Sequence, residues 1–158
     1  MPHVLDEYTH ECLAIDVAGS IRGRRVVEVL ARLVSLHGAP TFIRSDNGPE
    51  FVSNALLQWT KTEGIDTAFI DPGKPWQNGS NESFNSRFRE ECLAMEWFRT
   101  RAEAVVVIET WRRHYNEVRP HSSLDYRTPN EFKKDLKRKY TDSRSRPREA
   151  NFQQSVVH

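Results

Sequence analysis

Two acidic residues, Asp46 and Glu82, lie in sequence contexts that could bring them together as ligands of a metal ion. Asp46 lies in I-R-S-D-N-G-P-E-F, directly after a short apolar run, and Glu82 lies in W-Q-N-G-S-N-E-S-F-N, at the start of a helical pattern. Carboxylate oxygens are the hard ligands that Mg²⁺ prefers, and such sites carry out phosphoryl transfer. The alternative is that D-N-G is an ordinary turn and N-G-S-N an ordinary loop and helix cap. The residues that flank the two motifs are needed to distinguish a metal site from an ordinary turn and helix cap.

The elements before Asp46 predict a short sheet with a helix. Residues 3–7 and 11–17 predict two strands joined by a tight turn, and residues 24–37 have apolar positions at helical spacing. Residues 41–45 predict a strand that places Asp46 at its carboxyl end, where ligands gather in open α/β sheets.

The elements around Glu82 continue the same alternation. A helix capped by Ser53 is followed by a predicted strand at residues 65–70. Residues 71–80 contain two Pro and two Gly, which predicts a mobile loop that leads into a helix at residues 81–95. Glu82 therefore enters the site from the first turn of a helix.

Arg89 follows Glu82 by seven residues, nearly two helical turns, so the two side chains are expected on one face. Phe84 and Phe88 are expected on the other face. A cation further along the face of a metal-binding carboxylate suits a DNA phosphate, and the alternative is a surface salt bridge.

The last third of the chain predicts two capped helices. T-R-A-E at residues 100–103 and T-P-N-E at residues 128–131 are capping boxes, the second with Pro at the first helical position. The first of these helices has an apolar stripe, which we interpret as core rather than as a platform for stacking bases: Val105, Ile108, Trp111 and Tyr115.

Three segments closely resemble the catalytic core of bacterial insertion-sequence transposases related to retroviral integrases. They are R-S-D-N-G-P-E-F (44–51), P-G-K-P-W-Q-N-G-S-N-E-S-F-N-S-R-F-R-E-E-C-L (72–93) and W-R-R-H-Y-N-E-V-R-P-H-S-S-L-D-Y-R-T-P (111–129). The resemblance runs from about residue 4 to about residue 135. It implies an α/β, ribonuclease-H-like fold, in which a mixed sheet is flanked by helices.

The resemblance also implies a triad of Asp, Asp and Glu that binds two Mg²⁺ or Mn²⁺ ions for DNA cleavage and strand transfer. Asp46 matches the second Asp and Glu82 the Glu. The first Asp has no match, because the chain begins at Met1 inside what should be the second strand. Asp6 belongs to the motif after the absent strand, so it is not assigned to catalysis. We expect a sheet that lacks its first, central strand.

The family uses a basic residue at the position of Arg89 on DNA, which makes Arg89 the leading candidate for a DNA contact. The full set of predicted DNA-binding residues is Arg89, Lys74, Asn78, Asn85, Lys133, Lys134, Lys137, Arg138 and Lys139.

Charge divides the chain in two. Residues 1–132 have 15 Lys and Arg against 19 Asp and Glu, whereas residues 133–158 have 8 against 3. We predict one catalytic-core domain at residues 1–136 and a basic, disordered tail at residues 137–158 that can bind phosphates.

Composition excludes several other classes of protein. No apolar stretch approaches a membrane span, which predicts a cytoplasmic protein, associated with the nucleoid when it is bound to DNA. Cys12 and Cys92 lack metal-ligand spacing and are expected in the core.

Two functions stay open at this point. The first is a metal-dependent transposase core that cuts and joins the ends of an insertion element to target DNA, in self-associated form. The second is a catalytically silent remnant that binds DNA or a full-length transposase. The DNA just upstream of the Met1 codon distinguishes them, because an open frame there could supply the absent strand and its Asp.

Overall fold

The structure is a computed structural model and describes residues 1–17, 22–45, 48, 53–69, 79–95, 97–142 and 153–157. Within these ranges, no helix is long and apolar enough to cross a membrane. Asp46, Lys74 and Asn78 lie outside the described residues, as does the predicted loop up to residue 78.

Five short strands form one sheet. The strands are β1 (His3–Asp6), β2 (Cys12–Ile15), β3 (Phe42–Ser45), β4 (Asp66–Phe69) and β5 (Gln153–Val157). Their order across the sheet is β2-β1-β5-β3-β4. β1 is antiparallel to both β2 and β5, whereas β3 is parallel to both β4 and β5.

The centre of this sheet differs from the sequence-based expectation. The sequence predicts a gap between β1 and β3, and β5 fills it with a segment from the end of the chain. The physical reason is that inner strands present backbone N–H and C=O groups on both edges, and these groups need partners. The predicted basic tail accordingly divides in the structure: residues up to 142 continue a helix, and residues 153–157 form β5.

Five α-helices flank the sheet. They are α1 (Gly23–His37), α2 (Asn54–Glu63), α3 (Gly79–Phe88), α4 (Arg101–Glu117) and α5 (Pro129–Asp142). A π-helical turn at Arg89–Leu93 follows α3, and a 3₁₀ turn at Ser122–Leu124 lies between α4 and α5.

The two faces of the sheet bury separate apolar clusters. Val4 on β1 and Ile43 on β3 pack with Leu30 of α1 and Leu56 of α2 on one face. Leu5, the next residue of β1, belongs to the cluster on the other face, with side chains of α3, α4 and the π-helical turn: Phe84, Phe88, Cys92 and Ile108. The alternation of Val4 and Leu5 is what a strand dictates, and it fixes α3 and α4 on the same side of the sheet.

The local signals for helix ends are confirmed. Thr128 and Glu131 form a reciprocal capping box, with the backbone N–H of each donating to the side chain of the other at 2.8 and 3.2 Å. The Thr100 hydroxyl accepts from the N–H of Glu103 at 3.1 Å. Gly64 ends α2 at φ 68°, a left-handed conformation that costs glycine little.

Candidate nucleic-acid interface

The candidate site lies at the end of the sheet where the carboxyl end of β3 is located. Ser45, the last residue of β3, is buried, and it pairs with Val156 of β5. Val156 pairs in turn with Val4 of β1, and His3 comes next along that strand. His3 of β1 and Ser45 of β3 thus lie at the same end of the sheet. Asp46 directly follows Ser45 in the sequence.

The first turn of α3 reaches this end of the sheet, because the ring of His3 packs against that of Phe84 with centroids 4.5 Å apart. Glu82 lies two residues before Phe84, in the first turn of α3, and is exposed. The structure therefore brings the turn that carries Glu82 to the end of the sheet at which β3 ends.

Asp6 lies elsewhere on the sheet. It pairs with Gln154, which pairs with Ile43, so Asp6 is level with the beginning of β3 rather than with its end. Its carboxylate accepts from the N–H groups of Tyr8 and Thr9 at 2.9 and 3.1 Å, which closes the turn between β1 and β2. Burial raises the pKa of Asp6 from its ordinary value. These contacts give Asp6 a structural role in the turn between β1 and β2.

A complete metal site is not present in the described part of the chain. Within those residues, no group of three or more His, Cys, Asp and Glu side chains could hold a metal ion. Of the two predicted ligands, only Glu82 belongs to the described residues.

A polar stripe runs along the exposed side of α3 and continues to Arg89, the first residue of the π-helical turn. Glu82 and Arg89 are exposed and Asn85 between them is partly exposed, whereas Phe84 and Phe88 are buried. The predicted division of this helix into two faces is confirmed by these exposures.

The predicted single helix at residues 81–95 changes to π-helical at Arg89. The N–H of Ala94 donates to the carbonyl of Arg89 at 2.8 Å, five residues back. This wider turn keeps Cys92 in the core, and Glu91 pairs with Arg119 beyond the end of α4. π-turns of this kind are often found at functional sites.

The predicted basic residues on α5 differ in their surroundings. Lys133 is partly buried, and its Nζ lies 2.6 Å from the Oε2 of Glu11, so in the structure it is committed to an ion pair. Four other cations are exposed along the same helix: Lys134, Lys137, Arg138 and Lys139. These four, unlike Lys133, are presented to solvent.

His121 is buried beneath α4. Its ring meets that of Tyr115 edge to face at 4.6 Å, and its Nε2 lies 3.3 Å from the Tyr115 carbonyl oxygen. Its backbone pairs with that of Arg127. Burial lowers the pKa of His121 to about 4, an effect that the nearby cations Arg87 and Arg119 reinforce. His121 is therefore neutral and structural at pH 7.

This burial predicts a specific loss of stability in acid. Between pH 6.5 and 4 the unfolded chain protonates His121 while the native state resists it, so the free energy of unfolding falls as the pH falls. The contribution lost from pH 7 to pH 4.5 is about 2–3 kcal/mol. Urea unfolding of wild type and His121→Asn at both pH values measures it. The variant is expected to lose less stability than wild type by this amount, and an equal loss in both proteins would contradict the assignment.

A buried clamp that sequence reasoning missed holds the edge strand β2 against α4. The side-chain amide of Asn116 accepts from the N–H of Cys12 at 2.8 Å and donates to its carbonyl at 2.9 Å. Arg112, one turn earlier, donates to the same carbonyl at 2.7 Å. The available signal was a polar residue directly after Tyr115 of the apolar stripe.

Comparison with protein families gives two overlapping matches. The models match residues 2–75 and residues 63–129, and both are described as "Integrase core domain".

Curated relatives come from insertion elements. The chain is 46% identical over 129 residues to an uncharacterized 39.2 kDa protein of insertion element IS476 from Xanthomonas euvesicatoria, covering 82% of this chain and 37% of that protein. It is 47% identical over 129 residues to an uncharacterized 31.7 kDa protein of insertion element IS407 from Burkholderia multivorans, covering 82% and 47%. The chain thus spans less than half the length of these relatives.

Solved structures agree on the fold. The catalytic core domain of HTLV-2 integrase in complex with magnesium matches with a TM-score of 0.57 and 15% identity, over 83% of this chain and 82% of that one. A chain of the simian T-cell lymphotropic virus intasome matches with a TM-score of 0.65 and 16% identity, over 83% and 47%. At such identities the likeness shows a ribonuclease-H-like fold.

Proposed function

The chain belongs to the integrase core domains of insertion-sequence transposases, and on this premise we propose that it binds the DNA of an insertion element through the exposed side of α3 and the cations of α5. The observation that carries the proposal is the stripe of Glu82, Asn85 and Arg89 beside the end of the sheet where β3 ends. Arginine and asparagine side chains are among the groups that contact phosphate oxygens and position DNA.

In the complete family site, Asp46 and Glu82 are the proposed ligands of Mg²⁺ or Mn²⁺ for DNA cleavage and strand transfer. DNA binding is the part of transposition that the described residues of this chain support. Arg89, Lys74, Asn78 and Asn85 are the proposed contacts near the carboxylates.

The same reasoning gives the proposed DNA ligands, protein partner and location. Element ends and target DNA are the proposed ligands, and a second copy or a full-length transposase is the proposed protein partner. The proposed location is the cytoplasm, on the nucleoid when the protein is bound to DNA.

DNA binding by the purified chain tests the proposal. The affinity for a duplex should fall steeply as salt rises, because each phosphate contact releases counterions. Neutralising the four exposed cations of α5 with glutamine should reduce the slope of log affinity against log salt by up to about 1 per contact. This variant keeps β5 and Lys133, which a deletion of residues 133–158 would remove.

A matched pair of arginines separates the α3 stripe from general charge. Arg89 and Arg24 are both exposed on helices, and α1, which carries Arg24, packs on the opposite face of the sheet from α3. Arg89→Ala should weaken binding and lower the salt slope by about 1, while Arg24→Ala should leave both unchanged. Equal effects of the two substitutions would contradict a DNA-binding face on α3.

Metal-dependent cleavage tests the two proposed ligands. Any nicking of duplex DNA of the element's own ends in Mg²⁺ or Mn²⁺ should disappear in Asp46→Asn and in Glu82→Gln, because each substitution removes a carboxylate ligand. Nicking that persists in both variants would refute the assignment of these two residues.

A further inference from the structure

The central strand of the sheet comes from the extreme end of the chain. Gln153–Val157 pairs with β1 through four residues, from His3↔Val157 to Asp6↔Gln154, and with β3 through four, from Phe42↔Gln153 to Ser45↔Val156. β1 therefore pairs with one backbone edge of this five-residue segment, and β3 pairs with the other.

This segment alone joins the two halves of the described sheet. In the order β2-β1-β5-β3-β4, the described residues show no pairing of β1 with β3, so β5 is the connection between the β1–β2 and β3–β4 pairs. Removal of β5 would expose the backbone groups of β1 and β3 along a slot one strand wide. Unpaired inner edges of this kind bind any extended segment of suitable polarity.

The connection after α5 is long enough for Gln153–Val157 to reach the slot between β1 and β3. Ten residues separate Asp142, the last residue of α5, from Gln153. Fully extended, such a connection spans about 36 Å, which is on the scale of the whole domain. The segment Q-Q-S-V-V contains no Asp or Glu, so it completes the sheet without adding a carboxylate to it.

We propose that Gln153–Val157 is a complementing strand held in cis, and that the slot between β1 and β3 is a binding site for one extended segment, antiparallel to β1 and parallel to β3. Recognition is by the main chain, through four residue pairs on each side. The inference goes beyond the proposed function and is independent of DNA binding, since it concerns how this chain closes its own sheet.

Engineered disulfides test the register and the origin of the strand together. Val4 and Val156 are directly paired, so Val4→Cys with Val156→Cys should oxidise to a disulfide within one chain. The matched control, Val4→Cys with Ser155→Cys, joins two residues that are not paired in the register and should stay reduced. The native Cys12 and Cys92 are buried, and peptide mapping distinguishes them from the new thiols.

The size of the oxidised protein on a non-reducing gel distinguishes the outcomes. A crosslinked monomer supports the proposal. A crosslinked dimer would show that a second copy supplies the strand, and this outcome overturns the proposal in its cis form. Absence of any crosslink in the paired variant, with both thiols reactive, overturns it altogether.

Amide hydrogen exchange in the full chain gives a second, independent readout. Ser155→Pro removes an N–H from the centre of β5, whereas Ser155→Thr keeps it and favours a strand. Exchange of the amides of β1 and β3 should speed up at least tenfold in the proline variant and stay near wild type in the threonine variant. Unfolding of the proline variant beside an intact threonine variant also supports the proposal. Equal protection in all three proteins would overturn it.

Discussion

Phe84→Ala is expected to lower the free energy of unfolding by about 3–5 kcal/mol, a large part of the roughly 5–15 kcal/mol that holds a domain folded. Phe84 is 1% exposed, and its ring lies at the centre of an aromatic cluster. The rings of four neighbours have centroids 4.5–6.0 Å from it: His3, Phe88, Trp111 and Tyr115.

The size of this effect follows from what Phe84 joins. It connects β1, through His3, to α3 and α4, so its removal leaves a cavity at the junction of three elements. The same contact places the first turn of α3, with Glu82, at the end of the sheet where β3 ends. We therefore expect Phe84→Ala to weaken DNA binding through Arg89 as well as stability.

Chemical denaturation of two control variants makes the measurement specific. Phe84→Leu keeps most of the apolar volume and should cost about 1 kcal/mol. Trp97→Ala removes a larger aromatic side chain, but Trp97 is 96% exposed, so the change should stay within about 0.5 kcal/mol. Losses of similar size for Phe84→Ala and Trp97→Ala would contradict the assigned core.

The helices could be predicted from the sequence because their signals are local. The two capping boxes, the Ser53 cap and Gly64 each act over three or four residues, and each forms a capping bond in the structure. In the first box the Glu103 side chain accepts from the N–H of Arg99 rather than from that of Thr100. The apolar stripe of α4 was likewise visible as spacing, and Ile108 and Tyr115 are buried. Val105, by contrast, is 45% exposed, because the buried position at that end of the helix is its neighbour Ala104, which is 6% exposed.

β5 could not be predicted, because its cause is remote in sequence. The segment Q-Q-S-V-V follows a basic stretch and has only two β-branched residues, a weak strand signal. What makes it a strand is the pair of backbone edges on β1 and β3, more than 100 residues earlier in the chain. Sequence reasoning identified those edges as unsatisfied, but it assigned no segment of the chain to them.

The candidate site could be predicted only in part, because some of its features depend on local sequence and others on the packing of distant segments. Motif spacing placed Glu82 in the first turn of a helix and Arg89 on its exposed face; in the structure Glu82 is in the first turn of α3, and Arg89 is exposed at the start of the π-helical turn. The commitment of Lys133 to Glu11 depends instead on how α5 packs against the turn between β1 and β2, which no local pattern of charges reveals.

Asn116→Leu is expected to lower the free energy of unfolding by about 2–3 kcal/mol, although leucine adds apolar surface. Asn116 is 3% exposed and Cys12 is fully buried, so the N–H of Cys12 has no access to water once the Asn116 oxygen is removed. The Cys12 carbonyl keeps Arg112 as a partner, which limits the loss mainly to one buried donor.

The position of the clamp adds a local effect to this global one. β2 is an edge strand of the described sheet, paired only with β1, and the Asn116 side chain occupies its outer backbone groups at Cys12. Its loss should speed exchange of the Cys12 amide beyond the global change and expose an edge that can pair with another chain. Glu117→Gln, at the exposed neighbouring residue of α4, should change neither quantity, because it removes no buried contact. A Cys12 amide that stays protected in Asn116→Leu would show that β1 and Arg112 alone hold the edge strand in place.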